Sequence, residues 1–221
     1  MTALVNDAAA LLAALVAYNL CLTVTAIALA MPIACLFAVA RLSRRPLVYY
    51  PVTAYVNVLR SSPLLMIMFW AYYTGPMITG QPTSAYTAAL IALSAFEVAY
   101  FTELVRAGLQ SIAAGQRDAA LAVGLSPAQA MRLVILPQAL RRMLPSLLSQ
   151  SIIAFQDSTI ASVIGVSDAM QMTNIISARE QRPIELYSAL AVMFFVLCYA
   201  LSKLVRTLEA RTGARTAARA G

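Results

Sequence analysis

Three ionisable side chains, Arg60, Glu97 and Asp157, stand inside long apolar runs. A charge at membrane depth is costly, so such groups normally face a partner or a water-lined path. Arg60 could neutralise Glu97 or Asp157, or it could hold a solute carboxylate through its planar, bidentate guanidinium. Asn57, Gln156, Ser158 and Thr159 lie nearby in the chain and, with Arg60, Glu97 and Asp157, complete a set of candidate pathway-lining groups. Glu103 and Arg106, three residues apart, can pair on one helix face as a structural ion pair. Other chemistry is excluded. The chain has no histidine, which removes imidazole bases and His-ligated metals. Cys21, Cys35 and Cys198 are far apart in apolar runs, so neither a zinc site nor a redox pair is expected. Lys203 is not part of a Gly-x-x-x-x-Gly-Lys-[Ser/Thr] phosphate loop, so the chain is not expected to hydrolyse ATP. No Ser–Lys pair falls within one site, which leaves an intramembrane enzyme weakly supported.

The elements that must carry these groups are set by composition. The chain has 221 residues, 61% hydrophobic and 11% charged, where a soluble domain has about half and about a quarter. It is an all-α membrane protein. Spans need about 20 apolar residues, and they are expected at about 14–40, 51–73, 84–107, 143–166 and 185–204. Pro32 predicts a kink in the first, and Thr74-Gly75-Pro76 and Gly80-Gln81-Pro82 predict the turn between the second and third. No Lys or Arg precedes the first apolar window, so a cleaved signal peptide is not expected. Residues 1–205 then form one transmembrane domain, followed by a basic tail over 206–221, and no fixed-period repeat is present.

Charge sets the expected orientation. The net charge is +7. Arg41, Arg44 and Arg45 follow the first span, Arg106, Arg117, Arg132, Arg141 and Arg142 lie between the third and fourth, and Lys203, Arg206, Arg211, Arg215 and Arg219 follow the fifth. Thirteen of the 16 basic residues fall on one side if the N-terminus is outside and the C-terminus cytoplasmic. The basic tail is thus a flank of the last span, with no nucleic-acid partner implied. Tyr49, Tyr50, Tyr72 and Tyr73 sit where interfacial aromatic belts form.

The segment from Gly108 to Leu136, cytoplasmic in this topology, carries a helix–turn–helix signature. One short helix is expected to end at Gly124, which can take the left-handed cap. A second begins with Ser126 as N-cap, Pro127 at the first helical position and Gln129 closing a capping box, and runs to Leu136 before Pro137 breaks or kinks it. By pattern alone this is either an elbow packed on the membrane domain or a docking knob for another subunit.

The residues favour the second. Asp118-Ala119-Ala120, Gly124 and Ile135-Leu136-Pro137 resemble the Glu-Ala-Ala loop of ATP-binding-cassette (ABC) importer permeases, with Asp in place of the usual Glu. Arg60-Ser61-Ser62-Pro63-Leu64-Leu65 is similar to the Arg-Gly-Thr-Pro-Leu-Leu motif of the polar amino-acid permeases. Glu103-Leu104-Val105-Arg106-Ala107-Gly108-Leu109-Gln110-Ser111-Ile112 resembles that subfamily's Glu-Ile-x-Arg-x-Gly-Ile-Gln-Ser-Ile. Phe155-Gln156-Asp157-Ser158-Thr159 resembles its Lys-Asp-[Ser/Thr]-Ser segment, with Gln for Lys, and this segment with Phe96-Glu97-x-Ala99-Tyr100 is most similar to glutamate/aspartate permease subunits.

The resemblance implies a type I ABC importer permease fold in a bacterial inner membrane. It implies uptake of glutamate, aspartate or another polar amino acid by alternating access. It implies a cytoplasmic ATPase dimer that binds the ATP and magnesium, so that this chain binds no cofactor itself, a second permease chain, identical or homologous, and an external solute-binding protein. The ATPase-coupling residues would be Gly115, Asp118, Ala119, Ala120, Gly124, Leu125 and Pro137, and bulky or charged replacement of Ala120 or Gly124 would uncouple transport from ATP hydrolysis. A stand-alone secondary transporter or channel is the alternative; the odd number of spans and the lack of an internal repeat stand against it.

Overall fold

Alanine recurs every fourth residue along the first long helix, and this spacing decides how the bundle is built. The computed structural model describes residues 2–217. Helix α1 (Thr2–Ala14) runs through a π-helical turn, Leu15–Leu20, into α2 (Cys21–Arg41). Leu22, Ala26, Ala30, Ala34 and Ala38 of α2 are wholly buried, because residues four apart share one helix face. They pack on α5 (Ala85–Gln110), where Ala88, Ala89, Ala92 and Ala99 are buried in turn. Small residues let two backbones approach, which is how helices associate in hydrocarbon, where apolar burial gives little drive.

Among the described residues, four helical stretches are long and apolar enough to cross a membrane: Ala9–Arg41, Ala85–Gln110, Pro127–Ile164 and Pro183–Thr207. The expected second span over 51–73 is corrected. It is a bent pair, α3 (Pro46–Ser61) and α4 (Leu64–Thr79), turned by 108°. Pro63 is the cause: a residue before proline is driven from helical to extended backbone, and Ser62 has φ −102° and ψ 140°. Counted as one broken span, the pair brings the total to five. The expected turn at Thr74-Gly75-Pro76 is also corrected, since α4 runs through it and ends at Gly80, whose φ of +67° is the left-handed stop.

After α5 come α6 (Ala114–Ala122) and α7 (Pro127–Ala130), a second π turn, Met131–Ile135, and α8 (Leu136–Asp157). Of the break or kink expected at Pro137, the break is absent, since the π turn runs directly into α8. Proline lacks an N–H and its ring presses on the carbonyl four residues back. The wider turn just ahead of it, in which the Leu136 N–H donates to the Met131 carbonyl, lets the helix continue. The fourth span therefore starts well before residue 143, and α8 ends in a 3-10 turn, Ser158–Ile164. Helix α9 (Ala169–Glu180) is capped by Asp168, whose carboxylate accepts the Gln171 N–H. Helix α10 (Pro183–Ala217) extends the expected 185–204 span in both directions, through most of the segment expected as a tail; residues 218–221, with Arg219, lie outside the described residues.

Between elements the contacts are specific. Tyr55 on α3 donates to the Ala95 carbonyl of α5 at 2.8 Å, and Phe155 of α8 stacks on Phe194 of α10 with ring centroids 5.1 Å apart. Where α5 crosses α8, Gly108 leaves no room for a side chain: a Cβ there would lie 2.8 Å from the Met143 Cβ and 2.9 Å from its Sδ. The sulfur can swing away, but the Cβ moves only with its helix. Gly108→Ala is expected to cost about 1–3 kcal/mol by overpacking, seen as a thermal midpoint several degrees lower in detergent. An unchanged midpoint would show that the two helices yield freely.

Candidate functional site

Helices α6 and α7 project from the bundle as an elbow held by backbone chemistry at its corner. Gly124 has φ +88°. Its N–H donates to the Leu121 carbonyl at 3.0 Å, and the Leu125 N–H donates to that of Ala120 at 3.2 Å, the two bonds of a Schellman stop. One residue on, Ser126 Oγ accepts the Gln129 N–H while Gln129 Oε1 accepts the Ser126 N–H, a complete capping box. Gln138 on α8 donates to Gln116 Oε1 at 3.2 Å, and Arg142 donates to the Ser111 carbonyl at 2.6 Å, tying the start of the elbow to α8.

The coupling candidates fall into two groups. Gly115, Asp118 and Ala119 are exposed on α6, as are Gln116 and Arg117. Ala120 turns inward and is buried with Ala130 and Ile135 where α6 packs on α7 and the π turn. Leu125 is half-buried, and Pro137 is an exposed part of the first turn of α8. Val123 and Leu133 add apolar surface, at 77% and 61% exposure. The elbow thus exposes apolar groups beside charged ones.

Glu103 holds Arg106 on its own helix and also Arg41 at the end of α2. Arg41 is the partner that spacing within one helix cannot reveal. The pairing considered for Arg60 is corrected: it pairs with neither Glu97 nor Asp157. Its guanidinium sits over the Tyr100 ring, 5.3 Å from the centroid, at the separation of a cation–π contact. It is exposed, as is Asn57 one turn earlier on α3. Glu97 is wholly buried and accepts from Gln150 Nε2 at 3.2 and 3.4 Å.

Gln156 is exposed and Asp157 and Thr159 are half-buried at the end of α8, whereas Ser158 is wholly buried and points away from them. Ser158 accepts from Asn19, which also donates to Asp168. Burial pushes the Asp168 carboxyl up to about 6, against the Gln171 N–H and the Asn19 amide, which lower it. The candidates are therefore gathered as Arg60 with Tyr100, Glu97 with Gln150, and Ser158 with Asn19 and Asp168. Gln150, Asn19 and Asp168 were not singled out from the sequence; their only signal there was a polar side chain within or beside an apolar run.

An open groove of about 900 Å³ lies between the first long helix, α8 and α10, lined by Leu12, Val16, Val24, Leu148, Val196 and Leu201 among others. Its two hydroxyls are already used: Thr23 donates to the Asn19 carbonyl and Ser151 to that of Leu147. Nothing in it could hold a zwitterion, which separates it from the polar candidates.

Known proteins are similar to this chain. The glutamate/aspartate import permease GltK of Escherichia coli O6:H1 is 38% identical over 198 residues, covering 86% of this chain and 88% of GltK. The glutamine transport system permease GlnP of Escherichia coli K12 is 37% identical over 158 residues, 71% of this chain and 72% of that protein. A crystal structure of an amino acid ABC transporter with histidines superposes with a TM-score of 0.88 at 32% identity, covering 95% of this chain and 97% of that one. The MetNI methionine ABC transporter, at 21% identity and a TM-score of 0.67, shares the fold. A family profile runs through residues 26–214, from within α2 to near the end of α10. The chain accordingly belongs to the binding-protein-dependent transport system inner membrane components.

Proposed function

We propose that the chain is the membrane-spanning subunit of an ATP-driven importer that takes up amino acids, with glutamate and aspartate the first candidates. The observation that carries this reading is the exposed elbow of α6 and α7, rigid at Gly124 and continuous through α7 with a spanning helix. A lever of that kind has a use only if something outside the bundle pushes on it. The partner proposed is a cytoplasmic ATPase dimer, which binds ATP and magnesium. A second permease chain closes the pathway and an external binding protein delivers the solute. In this reading the elbow, with Asp118, Ala119 and Gly124, faces the cytoplasm and the N-terminus lies outside, in keeping with the distribution of basic residues.

The solute assignment is supported by the likeness to a glutamate/aspartate permease and by an exposed guanidinium, Arg60, that could attract a carboxylate. Closure of the ATPase would move the elbows of two chains together and turn the helices outward, and hydrolysis would return them. The family match and the exposed elbow, which a self-sufficient secondary transporter has no use for, weigh against that alternative.

The test is uptake of radiolabelled glutamate and aspartate into vesicles holding the chain with its ATPase, second permease and binding protein. Uptake is expected to need both ATP and the binding protein. Accumulation driven by an ion gradient alone would overturn the reading.

A further inference from the structure

The apolar window of the first long helix carries one wholly buried amide, that of Asn19. It lies in the π turn Leu15–Leu20, and all its polar capacity toward other elements is in use. Nδ2 donates to Ser158 Oγ at 3.0 Å and to Asp168 Oδ2 at 3.1 Å, while Oδ1 accepts the Ala169 N–H at 3.1 Å. Ser158 and Asp168 are themselves wholly buried. Each passes the connection on: Ser158 Oγ donates to the Phe155 carbonyl at 2.7 Å, and Asp168 Oδ1 accepts the Gln171 N–H at 2.8 Å. One side chain thus joins the first helix, the 3-10 turn after α8 and the start of α9.

Apolar residues of similar volume would fill the same space without desolvating an amide and a carboxylate, and such exchanges are often neutral or stabilising. What the polar set adds is geometry, because each bond admits one arrangement. The arrangement it fixes is that of Ser158, which stands between Asp157 and Thr159. Neither neighbour is held by another element. Thr159 Oγ1 donates to the Gln156 carbonyl of its own turn, and the Asp157 carboxylate has no side-chain hydrogen bond or ion pair among the described residues.

We propose that Asn19 is a positioning residue of the transport pathway: through Ser158 and Asp168 it sets where Asp157 and Thr159 stand. The proposal rests on the reading of those two residues as pathway groups given above. It assigns the first helix a part in solute passage although Asn19 never touches the solute.

A reciprocal exchange tests it in the assembled transporter. Asn19→Asp sets a second carboxylate about 3 Å from Asp168, and uptake is expected to fall about tenfold or more, as when a buried polar pair is broken. The double variant Asn19→Asp, Asp168→Asn restores one amide and one carboxylate with their places exchanged, and most of the uptake should return. A second readout needs no solute. With Cys21, Cys35 and Cys198 replaced by alanine, Gln156→Cys reports the placement of the turn through its rate of thiol labelling. Asn19→Leu should change that rate. Thr23→Val, which removes a hydroxyl bonded only within its own helix, should not. Labelling unchanged in Asn19→Leu, or no rescue in a double variant that assembles normally, overturns the proposal. If the wild-type complex moves no amino acid, altered labelling in Asn19→Leu leaves the positioning role and removes only the pathway reading.

Discussion

Valine at Gly124 is expected to lower amino-acid uptake about tenfold or more while the assembled ATPase still turns over, whereas asparagine should leave most of the uptake in place. The reasoning starts from the backbone. At φ +88° nothing lies within 4 Å of where a Cβ would stand, so a substitution meets no neighbour and its whole cost is conformational. For an ordinary residue the left-handed region costs about 1–2 kcal/mol, while Asn and Asp reach it through local hydrogen bonds. A β-branched side chain is worse placed still. Since about 1.4 kcal/mol is a factor of ten in population, valine should leave a minority of chains with the Schellman stop and the capping box in register. The sequence pointed to bulky or charged replacement at this position as uncoupling. The structure separates two causes, because Gly124→Asp alters charge with little backbone penalty, and valine does the reverse. Uptake and ATP hydrolysis measured together in proteoliposomes decide the matter. Full uptake in Gly124→Val would mean that the angle between α6 and α7 does not matter to transport.

Glu103→Ala is expected to destabilise the assembled chain more than Arg106→Ala does. Glu103 is the single acceptor between two guanidinium groups, and it is the only ionic bond from the end of α2 to α5 among the described residues. The Arg41 side chain is 11% exposed and that of Glu103 23%, so both are largely withdrawn from water. Removing the acid leaves two cations facing each other. Removing Arg106 leaves Arg41 and Glu103 paired. Loss of the acid should cost about 1–3 kcal/mol, less than for a fully buried pair. At about 2–4 °C per kcal/mol for a chain of this size, the midpoint would fall by several degrees. Glu103→Gln, which keeps the shape and one acceptor, should fall between. Equal midpoints for Glu103→Ala and Arg106→Ala would show that Arg41 has another partner.

Sequence reasoning found the long helices because apolar length is counted directly, and it found the elbow because Gly124, Ser126 and Gln129 are local signals. Proline was the least legible residue. Pro63 breaks a span, Pro76 lies inside α4, and Pro137 is carried by a π turn. Which outcome wins depends on whether the carbonyl four residues back can move aside, and no composition window reports that. The polar partners were hidden for a different reason. Asn19 and Ser158 are 139 positions apart and Glu97 and Gln150 are 53, and separations of that size are set by how helices pack. Arg60 shows the same limit: its partner is an aromatic ring, where counting charges offered only Glu97 and Asp157.

The π turn at Met131–Ile135 also sets an angular phase. A turn of this kind holds one residue more than the α-helix it interrupts, and each residue advances a helix by about 100°. The direction in which α6 leaves the bundle is therefore fixed by a count of residues upstream of Pro137 as much as by side-chain contacts. A change of length by one residue there would swing the whole outer face to another quadrant.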